Sequence, residues 1–279
     1  MIKYENSAGE AIRLDREGFF ADEGTLRGFQ WDYNYSGYPD GTGGSVSLFS
    51  RHGKTKEFTV SAHALKRSEI DALLNRLHNI TEHDVKNLEP GKLWLNSQYI
   101  SCYLTASEVE TKSKHMLFVT KKLTVLPVIP CWCIEETTNF KKGIETSSED
   151  AKRYNGRYPY KYGTGYSQTS LYNVISSWDT PMNITIYGPA VNPTLTIGGN
   201  VYALNTTIAS YERAIIDQIH KKIYTVGSAG EKTNIFNMRN KATDIFQYAP
   251  PGEVPVLFNG EFSFDITLIH QRSEPLWND

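Results

Sequence analysis

The sequence predicts a mainly β chain that is divided into two domains. Aromatic residues make up 12% of its 279 residues, with 17 Tyr, 12 Phe and 5 Trp beside 21 Gly. This composition favours strands that are joined by glycine-containing turns. Several short segments also alternate apolar and polar residues, which is the period of a half-buried strand. At ~150 residues per domain, the length indicates two domains.

Strands and turns account for the first sixty residues. Residues 28–33 alternate aromatic and polar side chains, and residues 36–44 have the Gly, Pro and Asp content of an exposed loop. Residues 45–49 and 57–61 are predicted to form short strands. We therefore expect a β-rich start that contains one exposed excursion.

One amphipathic helix follows these strands. Its apolar residues recur at i, i+3, i+4, i+7 and i+10, and they are Ile70, Leu73, Leu74, Leu77 and Ile80. Residues 68–71, Ser-Glu-Ile-Asp, are similar to a capping box, so we expect the helix to begin there. The pattern favours a helix that packs on a sheet and turns its polar face to water.

Strand-like segments return at residues 93–95, 99–104 and 116–126. Pro127 and Pro130 then interrupt the pattern, because proline cannot lie in a central strand. A polar stretch follows, and it is the best candidate for a domain boundary. The predicted organisation is an N-terminal domain at residues 1–138, a linker at 139–152 and a C-terminal domain at 153–279.

The second half is more plainly β. Residues 183–187 read as a strand, and residues 194–197 and 201–204 read as a hairpin whose turn contains Gly198 and Gly199. Residues 254–258 and 261–269 are separated by Asn-Gly at 259–260, which predicts a second hairpin.

The last predicted strand alternates four apolar with four polar residues. The apolar ones are Phe262, Phe264, Ile266 and Leu268. One face of this strand is therefore expected to be dry and the other wet, which suits an antiparallel β-sandwich.

Charge and hydropathy exclude two classes of protein. The formal net charge is −2, from 29 basic and 31 acidic residues, whereas a dedicated duplex-DNA binder carries a basic stripe. The first residues are polar, and no apolar run approaches the ~20 residues of a membrane span. We therefore expect a protein that folds in a cytosol.

The three cysteines leave two readings open. Cys131 and Cys133 bracket Trp132, and alternate residues of a strand point the same way, so the pair could supply two zinc ligands. A closed zinc site needs two further ligands, and none stands at a recognisable spacing. The favoured reading for these two and for Cys102 is free thiols in or near a core.

The sequence predicts no catalytic site. It contains no nucleophile elbow, P-loop or dinucleotide fingerprint. Paired carboxylates occur at Glu135-Glu136 and Glu149-Asp150, but glycosidic cleavage needs carboxyls on opposite sides of one bond, which adjacency does not supply. We expect neither an enzyme, nor a bound metal, nor a cofactor.

A tyrosine-rich segment is the most suggestive cluster. Residues 152–166 interleave five tyrosines with four basic residues. Such a surface could stack against sugars or single-stranded nucleic acid. It could instead cover a domain edge or enter a protein interface, where tyrosine is enriched, and this second reading is favoured. The candidate glycan or partner contacts are Tyr158, Tyr160, Tyr162 and Trp178.

The order of these segments resembles that of the distal tail proteins of long-tailed, non-contractile bacteriophages, especially phages and prophages of Gram-positive hosts. The residues that carry the resemblance are 27–33, 99–103, 186–204, 234–237 and 264–277. The set covers nearly the whole chain. One departure lies at residues 211–213, Tyr-Glu-Arg, where a tight turn with glycine is expected.

The resemblance implies a structural protein without catalytic residues. Its N-terminal domain would be a β-sandwich with one helix and a projecting hairpin, and its C-terminal domain a galectin-like or carbohydrate-binding-module-like β-sandwich. Six copies would form a ring at the distal end of the virion tail. The ring would assemble in the host cytoplasm and could stack on a second ring.

The same resemblance implies partners in the tail. The ring would join the tail tube protein and the tape-measure protein to a tail-associated lysin or fibre protein and to a receptor-binding protein. No specific nucleic-acid contact and no membrane contact are expected. The alternative hypothesis is a carbohydrate-binding adhesion module that recognises host cell-wall glycans.

Overall fold

The structure of the chain is a computed structural model that describes residues 1–112, 117–142, 168–174 and 178–277. Strands dominate these residues, beside one α-helix, which confirms the predicted mainly β class. Backbone packing divides the chain into two units, residues 1–134 with 271–279 and residues 135–270. Most of the predicted linker at 139–152 lies outside the described residues, so that boundary stays a prediction.

The first unit is built from the elements of the N-terminal half. The strands are β1 (Ile2–Glu5), β2 (Ala11–Arg13), β3 (Phe19–Asp22), β4 (Asp32–Gly37), β5 (Gly44–Ser50), β6 (Lys56–His63), β7 (Gly91–Leu95), β8 (Gln98–Lys112), β9 (Phe118–Pro127) and β10 (Trp132–Phe140), and the helix is α1 (Arg67–Asn87). The end of β10 belongs to the second unit.

Two antiparallel layers of the first unit share the long strand β8. Its first residues continue the order β2-β1-β7-β8, and its later residues pair with β9, which continues to β6 and β3. Register shifts interrupt the β8–β9 pairing at two places, and such bulges bend a strand. Apolar side chains from both layers and from α1 form one buried cluster, which includes Tyr4, Phe58, Ile70 and Trp132.

The helix confirms the predicted apolar stripe but not its predicted start. Ile70, Leu77 and Ile80 are buried, and the remaining two stripe residues are half-buried. The N-cap is Lys66, two residues before the predicted Ser68, and no side chain caps the helix. Ser68 already lies within the first turn, where its hydroxyl cannot act as an N-cap. The helix also extends to Asn87, beyond the stripe.

A buried carboxylate lies in the last turn of the helix. Asp84 is fully buried and accepts hydrogen bonds from the Tyr4 hydroxyl at 2.5 Å and from the Ser7 amide and hydroxyl at 2.7 Å each. Burial, and then this hydrogen bond, raise the pKa of the Tyr4 phenol. Gly91 lies against the pair, because a Cβ there would be 2.4 Å from Asp84 Oδ2. The network ties the helix to β1 and β7.

The second unit contains the remaining strands. These are β11 (Gln168–Val174), β12 (Met182–Tyr187), β13 (Ala190–Val191), β14 (Thr194–Ile197), β15 (Asn200–Ala203), β16 (Thr207–Ile208), β17 (Arg213–Asp217), β18 (Lys222–Val226), β19 (Lys232–Asn234), β20 (Gly252–Phe258) and β21 (Ser263–Arg272), with a 3₁₀ turn at Phe236–Met238.

Among its described residues, this unit has two larger sheets around one shared core, beside the short two-stranded pair of β13 and β16. One sheet has the order β19-β18-β17-β12-β21 and continues to the end of β10, and the other has the order β11-β20-β14-β15. Both sheets contribute to one buried apolar cluster. The dry face predicted for the last strand is confirmed, because Phe262, Phe264, Ile266 and Leu268 are all buried.

The turn predictions have different outcomes. Residues 194–197 pair with β15 as a hairpin, as predicted, and Gly198 and Gly199 both have positive φ, as a tight hairpin turn requires. The hairpin predicted at Asn259-Gly260 is wrong. Strand β20 pairs with β11 and β14, whereas β21 pairs with β12, so the Asn-Gly turn leads from one sheet to the other.

Packing explains this second outcome. The aromatic side chains on either side of the turn, Phe258 and Phe262, pack in the core with ring centroids 6.0 Å apart. If the two strands formed one sheet, half of this apolar surface would be exposed, whereas a corner buries the two rings between two sheets.

The sequence departs from the family pattern at residues 211–213. Tyr211 adopts a φ of 69° there, which is the left-handed conformation for which glycine is expected.

No helix in the described part of the chain has the length and the apolar character that a membrane crossing requires.

Candidate assembly surface

The clearest exposed feature of the first unit is the hairpin of β4 and β5. Within the part of the chain that the structure describes, these strands pair only with each other, as a separate two-stranded sheet. Almost every residue of both strands is exposed or half-buried. An isolated two-stranded hairpin is marginally stable in water, so this one is expected to gain stability from a surface that covers it.

The two faces of the hairpin differ in chemistry. Directly paired residues lie on the same face, so Tyr33 and Phe49 share a face with Tyr35 and Val46. The side chains of Tyr33 and Phe49 are 63% and 60% exposed, and their ring centroids lie 6.3 Å apart. The opposite face is polar apart from Leu48. We call the first of these the aromatic face.

A β-bulge produces the aromatic face. Val46 and Phe49 are three residues apart and would point to opposite faces of a regular strand. The register shifts between Asn34 and Tyr35, which leaves Ser47 as an extra residue in β5. Val46 and Phe49 therefore point the same way. The alternation predicted at residues 28–33 reaches only the first two residues of β4, Asp32 and Tyr33, and no residue pattern indicated this bulge.

Tight packing holds the tip of the hairpin in place. The ring of Tyr35 covers Gly44, where a Cβ would also lie 2.5 Å from the backbone oxygen of Ser36. Glycine is therefore required at this position. An aromatic ring that covers a glycine in the facing strand is a known way to stabilise such a site.

Basic residues surround the base of the hairpin. The Arg51 guanidinium lies 4.9 Å from the ring centroid of Trp31, and Asp32 accepts from His52 at 2.8 Å and from Lys54 at 3.3 Å. The hydrogen bond from His52, and then that from Lys54, lower the pKa of Asp32. The base is thus ordered by contacts between its own side chains, and it carries a local excess of positive charge.

A groove of about 740 Å³ lies beside the opposite end of β6, against the helix. Its apolar lining includes Gly18, Ala64, Leu65 and Leu73. Leu65 is 90% exposed. Gly18 keeps the groove open, because it has a φ of 88° and a Cβ there would lie 2.7 Å from a methyl of Leu73.

The second unit presents a polar sheet face. Tyr187 donates to Asp265 at 2.6 Å, and Asn139 donates to the other oxygen of the same carboxylate at 2.7 Å. The hydrogen bond to Asp265 raises the pKa of Tyr187. A phenol ring beside a carboxylate and an amide is a surface that can bind hydroxyl-rich ligands.

Solved structures provide the comparison with known proteins. One chain of the phage P2 baseplate in its activated conformation with calcium is 15% identical, with a TM-score of 0.65 and coverage of 98% of each chain. The same baseplate with strontium gives 15% identity and a TM-score of 0.65, over 99% of this chain and 100% of the other. The chain has the fold of a phage baseplate protein.

A second phage protein shares this fold more distantly. The SPP1 Dit protein, described as a paradigm of the hub adsorption apparatus in phages that infect Gram-positive bacteria, is 10% identical, with a TM-score of 0.51 over 88% of this chain and 89% of its own. No protein-family model and no curated protein match the sequence. The likeness to these phage proteins is therefore one of fold.

Three of the four predicted contact residues cannot be placed in this baseplate-type fold. Tyr158, Tyr160 and Tyr162 lie outside the described residues. Trp178 is described, belongs to the second unit and is 79% exposed. Their role in binding a glycan or a partner stays a prediction.

The cysteines are buried free thiols. Cys131 Sγ and Cys133 Sγ lie 4.0 Å apart, and Cys102 is in the core of the first unit. Burial raises the pKa of Cys102 to about 12, whereas a hydrogen bond from Cys133 lowers the pKa of Cys131. Within the described ranges, no three metal-ligating side chains come together.

Only one of the two predicted carboxylate pairs lies among the described residues. Glu136 Oε2 lies 3.0 Å from Nε2 of the half-buried His270 in the second unit, and Glu136 and Glu135 are both exposed. The pair Glu149-Asp150 lies outside the described residues.

Proposed function

We propose that the chain is a non-enzymatic structural component of a phage virion, the distal tail protein, at the distal end of the tail. The observation that carries this proposal is the fold likeness to a phage baseplate chain, which spans 98% of both chains. A likeness over the full length supports the same organisation of both halves, rather than one shared module. Fold alone does not fix function, so a second observation is needed.

The hairpin supplies that second observation. Its aromatic face is uncovered in the single chain, although contiguous exposed apolar surfaces usually mark interaction sites. We propose that six copies form a closed ring, which joins the tail tube and tape-measure proteins to a tail-associated lysin or fibre protein and to a receptor-binding protein. Assembly would take place in the host cytoplasm.

Ring formation is directly measurable with the full-length chain. Light scattering after size exclusion should give close to six times the chain mass of 31.6 kDa, and negative-stain microscopy should show closed rings. The same measurement with the tail tube protein added tests whether the ring binds one end of the tube. A chain that stays monomeric at every concentration, alone and with that partner, would exclude the proposal.

A second function, carbohydrate binding, is favoured by a different observation. The side chain of Trp178 is 79% exposed, and Tyr187 and Asp265 lie on a polar sheet face of the same unit. Host cell-wall glycans titrated into the labelled protein should shift the indole signal of Trp178 if this unit binds sugar. Absence of any shift or heat signal would remove this second candidate.

A further inference from the structure

The first unit carries two uncovered apolar surfaces of different shape. The aromatic face of the β4–β5 hairpin is an exposed face of a two-stranded sheet, whereas the surface beside the end of β6 is a groove. Exposed apolar surface is destabilising in water, at about 25 cal/mol for each Å². Two such surfaces can be covered together when one copy of the chain contacts another.

The topology places these two surfaces at opposite ends of one strand pair. Strands β3 and β6 are antiparallel, with Asp22 opposite Thr59 at one end and Phe19 opposite Ala62 at the other. The hairpin connects β3 to β6 at the Asp22 end, whereas Gly18 and His63 line the groove at the other end. β6 has eight residues, so its ends are ~23 Å apart.

Charge favours the same pairing. Arg51 and Lys54 lie at the base of the hairpin, and Glu17 and Glu69 line the groove. Glu17 has a cation, Arg76, at 4.0 Å in its own chain, which is a weak and exposed pair. The base of one hairpin and the groove of another copy therefore carry opposite charge, which favours their encounter and fixes their orientation.

We propose that the aromatic face of the hairpin of one copy binds the groove between β6 and α1 of the next copy. This inference rests on the proposed ring and names the contact that closes it. A contact between two different surfaces of one chain is heterologous, and it generates a closed ring when the rotation between copies closes. The occupant of the groove is thus a second copy of this chain.

Substitutions on the two faces of the hairpin provide the first test. Tyr33→Thr with Phe49→Thr removes the exposed rings, and threonine keeps the strand propensity. We expect the dissociation constant between copies to rise by about 30-fold or more, the effect of removing an interface hot spot. Leu48→Thr is the matched control, because Leu48 is 56% exposed on the opposite face. It should change the constant by less than about 3-fold.

A second pair of variants tests the groove independently of the hairpin fold. Leu65→Asn places an amide in the groove and should weaken assembly to a similar extent. Leu88→Asn is its control, since Leu88 is 81% exposed just beyond the far end of the helix and has a left-handed φ of 53°, which asparagine tolerates. If Leu65→Asn and Leu88→Asn assemble alike, the groove is not the contact.

Mixing the two defective chains decides whether the contact is heterologous. The hairpin variant keeps an intact groove, and the Leu65→Asn variant keeps an intact hairpin. Each alone should be monomeric, and the mixture should give a heterodimer of one copy of each. If the mixture gives no heterodimer, or if the hairpin variant still forms rings, the inference is wrong. Rings of the wild-type chain would in that case still support the proposed function. A wild-type chain that never assembles would overturn both.

Discussion

The buried hydroxyl of Tyr4 should stabilise the first unit far more than an equivalent hydroxyl at the surface. Tyr4→Phe removes the donor that lies 2.5 Å from Asp84 and leaves a fully buried carboxylate with two hydrogen bonds from Ser7. Loss of one hydrogen bond to a buried charged group costs about 1.5–3 kcal/mol. The melting temperature should fall by roughly 3–12 °C, at about 2–4 °C for each kcal/mol.

The chain offers a matched control for this substitution. Tyr187 also donates to a carboxylate, Asp265, at 2.6 Å, but at an exposed position. Tyr187→Phe should therefore cost less than about 1 kcal/mol, because water replaces the lost partner. Urea unfolding of both variants, followed by circular dichroism, gives the two free energies of unfolding. Equal losses in the two variants would refute the argument that burial makes the Tyr4 hydroxyl valuable.

The pH dependence of stability provides a second reading of the same pair. The pKa of Tyr4 is raised in the folded chain, so this phenol keeps its proton at a pH where the unfolded chain loses it. Its contribution to the free energy of unfolding is complete below the unfolded pKa of about 10. Above that pH the contribution falls by about 1.4 kcal/mol per pH unit. Tyr4→Phe should make the decline of stability above pH ~10 shallower than in the wild type.

Three further outcomes are expected. Gly91→Ala should destabilise the first unit by more than about 2 kcal/mol, because the Cβ of the alanine would lie 2.4 Å from Asp84 Oδ2 and 2.5 Å from the Tyr4 hydroxyl. Urea unfolding measures this loss. Gln218→Met should cost about 1–3 kcal/mol, because the fully buried Gln218 pairs with two backbone groups at 2.9 and 2.7 Å; a normal unfolding midpoint would contradict this. Cys102 and the other two thiols should resist a thiol reagent in the native chain and react on unfolding.

The sequence could predict what depends on local periodicity. The stripe from Ile70 to Ile80 and the alternation from Phe262 to Leu268 both place apolar residues on one face, and both faces pack against a buried cluster. Burial of an apolar face stabilises these elements whatever they pack against. For the same reason, the mainly β class was predictable from residue patterns alone.

The rest depended on partners distant in the sequence. Asn259-Gly260 favours a hairpin locally, but burial of the neighbouring aromatic rings between two sheets outweighs that preference. Asp84 reads as a polar residue near the end of a helix, and only contacts with residues nearly eighty positions away explain its burial. The aromatic face likewise requires the bulge at Ser47, which is a property of strand pairing.

The assignment of residues 271–279 to the first unit has a consequence for the order of synthesis. Arg27 donates to the carbonyl of Leu276 at 3.1 Å, and the Leu276 amide donates to the side chain of Gln98 at 3.1 Å. The ribosome must therefore translate the whole second unit before the first can form these bonds. Chains released early by a nonsense codon or by ribosome stalling lack them, so the first unit is completed only in chains that carry the second.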